Sequence, residues 1–279
     1  MPWILTAALL LAAVCGAADA APARVVSINL CTDILLMKLA DRAQIASVSF
    51  LAAEPSGSVV ADQLTGIPIN YGRADEVRLM NPDLVLAGTY GARFAVQILK
   101  EHGYRVVEVP PAMSLEEIAP AIETVGAAIG QGARAKAMAD GIRERIAKMS
   151  GSSVRSRPSA IVFQPRGFAT GRPSLADDVL TLAGATNRAA DTGFMDWVPL
   201  GVEGLLGLNP DLVVIDDTEE APPAMAKGIL AHRALRVFAK EGRLFRAPSK
   251  LWSCGIPETL DVVADLRAEL TEWSAAHVH

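Results

Sequence analysis

The chain has 279 residues, enough for two domains, and its 51% hydrophobic and 20% charged content is that of an ordinary globular protein. A net charge of −5 with a pI near 5.5 gives no reason to expect nucleic acid or an anionic membrane surface as a partner. At the start, an apolar run over 3–14 is too short to span a bilayer, and Ala18-Asp19-Ala20 follows as a small-x-small cleavage signal. Residues 1–20 therefore read as a secretory signal peptide cut after Ala20, although its opening carries no Lys or Arg. Val14 ahead of Cys15 disfavours a lipoprotein cut. Loss of the leader leaves Cys31 and Cys254 in an exported compartment that permits them to pair.

In chain order, residues 24–28 read as a buried strand, and Thr32 or Asp33 is the expected cap of a helix over 34–40. A second strand covers 45–50, and a polar, Gly- and Pro-containing stretch covers 53–72. A short helix over 76–80 precedes a strand over 84–87. A helix through Phe94 and Ile98 to Lys100 ends at Gly103, and a strand over 105–109 stops at Pro110-Pro111. Ser114 and Glu117 form a capping box, opening an apolar face of Leu115, Ile118, Ile122, Val125 and Ile129. The next helix, over 133–149, is roughly 25 Å long at 1.5 Å per residue, enough to run between two lobes as a stiff connector. The second half repeats the scheme: a strand over 160–163, a turn over 164–168, a helix over 175–183 stopped by Gly184, and an irregular aromatic stretch over 191–197. A short helix over 203–208, strands over 211–215 and 244–247, a turn over 252–255 and a final helix over 257–273 complete it. Alternating strands and helices at this spacing indicate parallel, doubly wound sheets. The fold class is α/β, with two Rossmann-like lobes, 21–113 and 151–279, joined by a helical connector over 114–150.

One pentapeptide occurs twice. Asn81-Pro82-Asp83-Leu84-Val85 returns as Asn209-Pro210-Asp211-Leu212-Val213, with Asp75 and Glu203 each six positions before the Asn. In each copy proline ends a short helix, because the residue before it is pushed out of the α region, and an apolar strand buried on both faces follows. Common turn chemistry explains Asn-Pro-Asp once; identity over five residues with matching flanks points to two similar lobes.

These features together resemble the periplasmic substrate-binding proteins of ABC importers for vitamin B12, ferric siderophores and haem, the class III type with a helical backbone. The opening Arg24-Val25-Val26-Ser27 and both acid-x-V/L…PDLV units carry the resemblance, which runs from Arg24 to about Leu270. It implies two lobes with little hinge bending and a ligand in the cleft at the carboxyl ends of the strands. It also implies an exposed acidic residue on each lobe that docks onto arginines of an inner-membrane permease dimer. Asp75 and Glu203 hold those positions, with Asp75 in place of the more usual Glu and Glu76 beside it. A helix-start carboxylate also complements the macrodipole, and the two roles are compatible. The implied protein is a periplasmic monomer that is not an enzyme, has no catalytic cofactor and binds no nucleic acid.

Binding side chains in such a cleft come from the turns after strands. Lobe one offers Asn29, Leu30, Cys31, Phe50, Tyr71, Tyr90 and Arg93; lobe two offers Gln164, Arg166, Phe168, Phe194, Trp197, Asp217 and Trp252. A flat, partly apolar chelate needs aromatic walls and a few orienting polar groups. Tyr71, Tyr90, Trp197 and Trp252 are the better candidates, Phe50 and Phe168 the more core-like, and Arg93 and Arg166 suit carboxylates or a phosphate. For Cys31 and Cys254 three readings are open: a disulfide tying the lobes, a soft pair of metal ligands, or two half-buried thiols. No two of the four histidines fall in facing cleft turns, which argues against a bare metal-ion site.

The leading function is capture of a corrinoid or ferric siderophore for an importer, with haem as the alternative and Tyr71 or Tyr90 as its axial ligand. An exported two-lobed enzyme is the rival from another class. Against it, the chain has no G-x-S-x-G, P-loop, G-x-G-x-x-G or HExxH stretch, and Asp216-Asp217 alternate faces, so only one can enter the cleft.

Overall fold

The computed structural model describes residues 21–150, 157–216 and 232–277. The expected leader with Cys15, the candidate Asp217 and the terminal His279 lie outside the described residues. The first lobe contains β1 (Val25–Ser27), α1 (Leu30–Leu39), β2 (Ile45–Ser49), β3 (Ile69–Asn70), α2 (Ala74–Leu79), β4 (Leu84–Gly88), α3 (Arg93–Glu101) and β5 (Val106–Val109). Its strands are all parallel in the order β3-β2-β1-β4-β5, so the winding reverses between β1 and β4. Two helices follow, α4 (Ile118–Ala128) and α5 (Gly132–Ser150).

The second lobe contains β6 (Ser159–Phe163), β7 (Phe168–Thr170), α6 (Leu175–Ala183), β8 (Thr186–Asn187), β9 (Trp197–Pro199), α7 (Gly201–Leu208), β10 (Leu212–Ile215), α8 (Arg233–Lys240), β11 (Leu244–Arg246) and α9 (Thr259–His277). On one flank it repeats the first lobe, since β6, β10 and β11 pair in parallel as β1, β4 and β5 do. On the other flank it differs: β8 is parallel to β6, but β7 and β9 are added antiparallel. The stretch expected to be irregular therefore ends in a strand, because Trp197 pairs with Thr170.

The repeated pentapeptide performs the same work twice. Asn81 and Asn209 take left-handed backbone at φ 44 and 41, a conformation asparagine tolerates and a following proline encourages by disfavouring the helical one. The next acid then clamps the entry of the neighbouring strand. Asp83 Oδ2 accepts the N–H groups of Ala23 and Arg24 at 2.9 Å each. Asp211 Oδ2 accepts the Ser159 N–H at 2.7 Å and its hydroxyl at 2.8 Å. An arginine seals each turn: Arg24 donates to the Met80 carbonyl at 2.6 Å, and Arg243 to Asn209 Oδ1 at 2.8 Å.

Successive strand residues point to opposite faces, and the core divides accordingly. Val26, Val85 and Ala87 pack outward on α2 and α3, while Ile161, Val213 and Ile215 pack outward on α7 and α8. The alternate residues, including Val25, Leu84, Leu86, Val162, Leu212 and Val214, share one continuous core with α1, α4, α5, α6 and α9. The connector α5 is fixed at both ends. Arg134 binds the Leu39 carbonyl and Asp41 of lobe one, and Arg145 binds the Pro257 carbonyl and Asp261 of lobe two. At the head of α4 the expected capping box is only half made. Ser114 Oγ accepts the Glu117 N–H at 3.3 Å, but the Glu117 carboxylate takes the Met113 N–H at 2.7 Å and the helix begins later, at Ile118.

The first helix also starts differently from expectation. Asn29, extended at φ −148, is the cap, and its side chain accepts the Cys31 and Thr32 N–H groups. Asp33 is instead buried inside the first turn, where it accepts the Ser49 hydroxyl and the Ser49 N–H. Burial pushes its carboxyl up to about 6, outweighing the hydrogen bonds from Ser27 and Ser49 that lower it. The folded chain thus holds this proton more tightly than the unfolded chain, so the group favours folding at low pH and that contribution is lost as pH rises through about 6. Asp33→Asn is expected to raise thermal stability at pH 7.5, by at most about 3 kcal/mol, and to leave it nearly unchanged at pH 4. Melting curves of both proteins across that range check the sign.

Candidate functional site

In an open α/β sheet, ligands collect outside the carboxyl ends of the strands where the winding reverses. Those ends are where this chain places its aromatic and polar side chains. Asn29 follows β1, Phe50 follows β2, Tyr71 follows β3 and Tyr90 follows β4. Phe50 and Tyr71 stack at 5.4 Å and are both exposed, so Phe50 is a surface residue rather than the core residue its type suggested. In lobe two, Gln164 follows β6, Phe168 opens β7, Trp197 opens β9, Asp216 follows β10 and Trp252 lies beyond β11. Phe168 and Trp197 meet edge to face at 6.1 Å.

Two cavities occupy the seam between these sets of ends, and they share Pro111 and Ala112. The smaller, about 80 Å³, lies at the switch point of lobe one and is lined by Asn29, Cys31, Gly88, Tyr90 and Gly255, among others. The larger, about 460 Å³, is lined by Met113, Gln164, Thr170, Trp197, Asp216 and Trp252, together with neighbouring small residues. Trp197 is 62% exposed, whereas Trp252 is 9% exposed and belongs as much to the shared core as to the cavity wall. Asn29 is committed locally, with Oδ1 on the α1 N–H groups and its amide against Gly88, where an added Cβ would lie 2.6 Å from Nδ2.

The two arginine candidates do not reach either cavity. Arg93 opens α3, which turns back over the outer face of the first sheet, and it lines an outer groove with Phe94, Gln97 and Lys100. Arg166 sits exposed at a left-handed corner, φ 65, while Gln164 lines the cavity in its place. Asp216, passed over in favour of its neighbour, lines the cavity and accepts the Ser249 N–H at 2.9 Å and hydroxyl at 3.1 Å. Thr170, Ser174, Asp196, Ser249 and Ser253 were also missed. Their one sequence signal was a position at the edge of a strand or turn, which many surface residues share.

Cys31 and Cys254 are joined in a disulfide across 223 positions of sequence. It stands at the wall between the cavities, and neighbouring contacts reinforce it. Lys38 pairs with Glu258, and Lys250 Nζ donates to the Pro55 carbonyl at 3.1 Å. A Cβ on Gly255 would lie 2.6 Å from Ala112 Cβ and 2.9 Å from an Ile118 carbon, so the chains approach as closely there as a glycine allows.

On the outer faces, Asp75 and Glu203 each lie exposed in the first turn of a helix, α2 and α7. Arg73 donates to Asp75 at 3.3 and 3.2 Å and holds its carboxyl below the usual range. The neighbouring Glu76, the possible substitute, is half-buried and accepts the Tyr71 N–H at 2.8 Å. Among the described residues no group of three or more His, Cys, Asp or Glu is placed to hold a metal ion.

The model of the family described as periplasmic binding protein matches residues 25–251. This chain belongs to that family. Its expected location is accordingly periplasmic, and among the described residues no helix is long and apolar enough to cross a membrane. An uncharacterised ABC transporter substrate-binding lipoprotein of Bacillus subtilis is 30% identical over 158 residues, 53% of this chain and 49% of that protein. A cobalamin-binding protein of Halobacterium salinarum is 25% identical over 217 residues, 76% of this chain and 59% of that protein. The chain thus spans only about half to three-fifths of the length of these relatives. The apo periplasmic haem-binding protein of Roseiflexus sp. RS-1 shares the fold, with a TM-score of 0.76 at 21% identity over 90% of this chain and 98% of that one.

In this periplasmic binding protein the disulfide closes a very long loop of the unfolded chain, which is where such a bond contributes most. Denatured, unreduced protein is expected to show no titratable thiol at Cys31 or Cys254. Reduction, or Cys31→Ser with Cys254→Ser, should cost roughly 2–5 kcal/mol in denaturant unfolding.

Proposed function

We propose that this protein captures a metal chelate, a corrinoid first and a ferric siderophore second, between its two lobes and delivers it to an ABC importer without catalysing a reaction. The observation that carries this reading is the chemistry of the larger cavity. Its walls are aromatic and apolar, with Trp197, Trp252, Met113, Val162 and Leu175, and its polar groups are hydroxyls, an amide and two carboxylates. Such a lining suits a large, partly apolar ligand with a neutral, hydrogen-bonding periphery. A corrin ring edged with amides answers that description.

Haem is the third reading, with the exposed Tyr90 phenol at the smaller cavity, or Tyr71 after β3, as the axial ligand it would need. Its two carboxylates would meet Asp196 and Asp216, and among the described residues lining the larger cavity there is no Lys, Arg or His to receive them. That mismatch ranks haem below the corrinoid. The name of the Halobacterium relative, a cobalamin-binding protein, supports the same order.

The proposed partner is a permease dimer, met through Asp75 on α2 and Glu203 on α7. The two helices precede matching strands of the two sheets and expose their acids in the same register, as a partner of two-fold symmetry requires.

Addition of cobalamin is expected to quench the tryptophan fluorescence of the purified protein, and Trp197→Ala to weaken that binding roughly tenfold, in keeping with loss of a buried aromatic contact. Silence across cobalamin, haem and a panel of ferric siderophores overturns the chelate reading. Asp75→Lys with Glu203→Lys should abolish import and leave ligand affinity intact; a loss of ligand affinity alone contradicts the docking role.

A further inference from the structure

A polar cluster lies inside lobe one, beneath the carboxyl ends of β1, β2 and β3. Ser27 of β1, Ser47 and Ser49 of β2, Asn70 of β3, and Thr32 and Asp33 in the first turn of α1 are all buried. Each such group costs stability unless it is hydrogen-bonded, and here they bond one another. Asn70 Nδ2 donates to the Ser27 carbonyl at 2.9 Å and to Ser47 Oγ at 2.8 Å. The Ser27 and Thr32 hydroxyls meet at 2.8 Å. Asp33 Oδ1 accepts the Ser49 N–H at 3.1 Å, and Oδ2 accepts the Ser49 hydroxyl.

The cluster reaches the lobe-one strand ends in two places. Ser49 and Asn70 are paired directly across β2 and β3, and the residues that follow them, Phe50 and Tyr71, are the ones whose rings stack. Thr32 lines the smaller cavity beside Cys31. Asp33 is the titratable member. The elements packed on α1 bring no cation to it: β1, β2, β4 and the turn over Phe50–Ala53 are uncharged. Glu123 of α4 is paired with Arg143, and Lys38 of α1 with Glu258. The ionised carboxylate is therefore sustained by the donors of Ser27 and Ser49.

An ionised carboxylate only accepts, whereas a protonated one must also donate. While Asp33 is ionised, both bonds from Ser49 are charge-assisted, about twice as strong as neutral ones, and they hold the exit of β2 just before Phe50. Protonation removes that charge. The new Asp33 hydroxyl competes for Ser49 Oγ, and the Ser49 hydroxyl proton loses its acceptor. Burial places this change near pH 6.

Resting on the reading that a chelate binds at these strand ends, we infer that Asp33 is a positioning residue whose ionised form holds the lobe-one wall in its binding arrangement, so that taking up a proton weakens ligand binding. By linkage the converse holds as well: a bound ligand favours the ionised form and expels the proton.

The test follows cobalamin binding to the full exported protein by tryptophan fluorescence from pH 7.5 to pH 5. The parent's affinity is expected to fall roughly fivefold over that range. Calorimetry near pH 6, in buffers of unequal ionisation enthalpy, should show proton release on binding. Asp33→Asn places an amide donor where the protonated acid has its O–H. It should bind roughly tenfold more weakly than the parent at pH 7.5, with no pH dependence and no proton release. Ser49→Ala, without the hydroxyl, should weaken binding at pH 7.5 and make the pH dependence shallower. Asp196 and Asp216 line the larger cavity, and any pH dependence that they cause would persist in Asp33→Asn. Melting curves check that the variants fold; the parent's profile and proton release decide the coupling without them. A flat parent profile, no proton release, or a slope that persists in full in Asp33→Asn overturns the coupling and leaves the chelate reading in place. Haem and ferric siderophores take the place of cobalamin if it does not bind. Silence from all of them at every pH overturns the chelate reading, and the coupling falls with it.

Discussion

The seam at Cys31, Cys254 and Gly255 is the constraint on which the molecule depends. Each lobe alone ends in a row of strand termini with no wall opposite. The disulfide, the Lys38–Glu258 pair and the close packing of Gly255 on Ala112 and Ile118 bring one row against the other. Pro111 and Ala112, at the exit from β5, then serve as a wall for both cavities. The connector α5 secures the same arrangement from the far side, through Arg134 at one end and Arg145 at the other. Linked along both lines, the lobes face each other across the two cavities.

The internal repeat explains why two lobes of unlike outline share one plan. The Asn-Pro-Asp turn delivers β4 and β10 alongside the central strands β1 and β6, and the carboxylate of each turn fixes the entry of that central strand. What lies on that side of the sheet is therefore common to both lobes, including the helix before the turn with its exposed acid. The far side is free to differ. Lobe one adds two parallel strands there, whereas lobe two adds an antiparallel pair that carries Trp197 and Phe168 toward the cavity. The flank common to both lobes carries the exposed acids, and the flank that differs carries Trp197, which lines the larger cavity.

Much of the architecture was legible in the residues because it rests on local chemistry. Strand runs such as Leu84-Val85-Leu86 cannot be satisfied except by burial on both faces, and proline after Asn81 and Asn209 stops a helix wherever it occurs. Helix starts were less legible, because a cap is decided by competition. Asn29 wins at α1 because the chain leaves β1 extended, and Asp33, an equally good cap by type, is drawn into the core toward Ser49. The cavities were legible by region but not by lining residue. The strand-end rule led to Tyr90, Trp197 and Trp252, yet it also named Arg93 and Arg166, whose helix and turn direct them elsewhere.

Sequence by itself determined the two-lobed α/β class, the repeated helix–turn–strand unit and the positions of the paired acids, since periodicity, proline and a five-residue identity act over short distances. Only the tertiary structure decided which of the three readings of Cys31 and Cys254 holds, that Trp252 is wall and core at once, and that Asp216 and Gln164 line the cavity. The physical reason is the same in each case. These outcomes depend on contacts between segments far apart in the chain, and a linear pattern carries no record of which distant surface a side chain will meet.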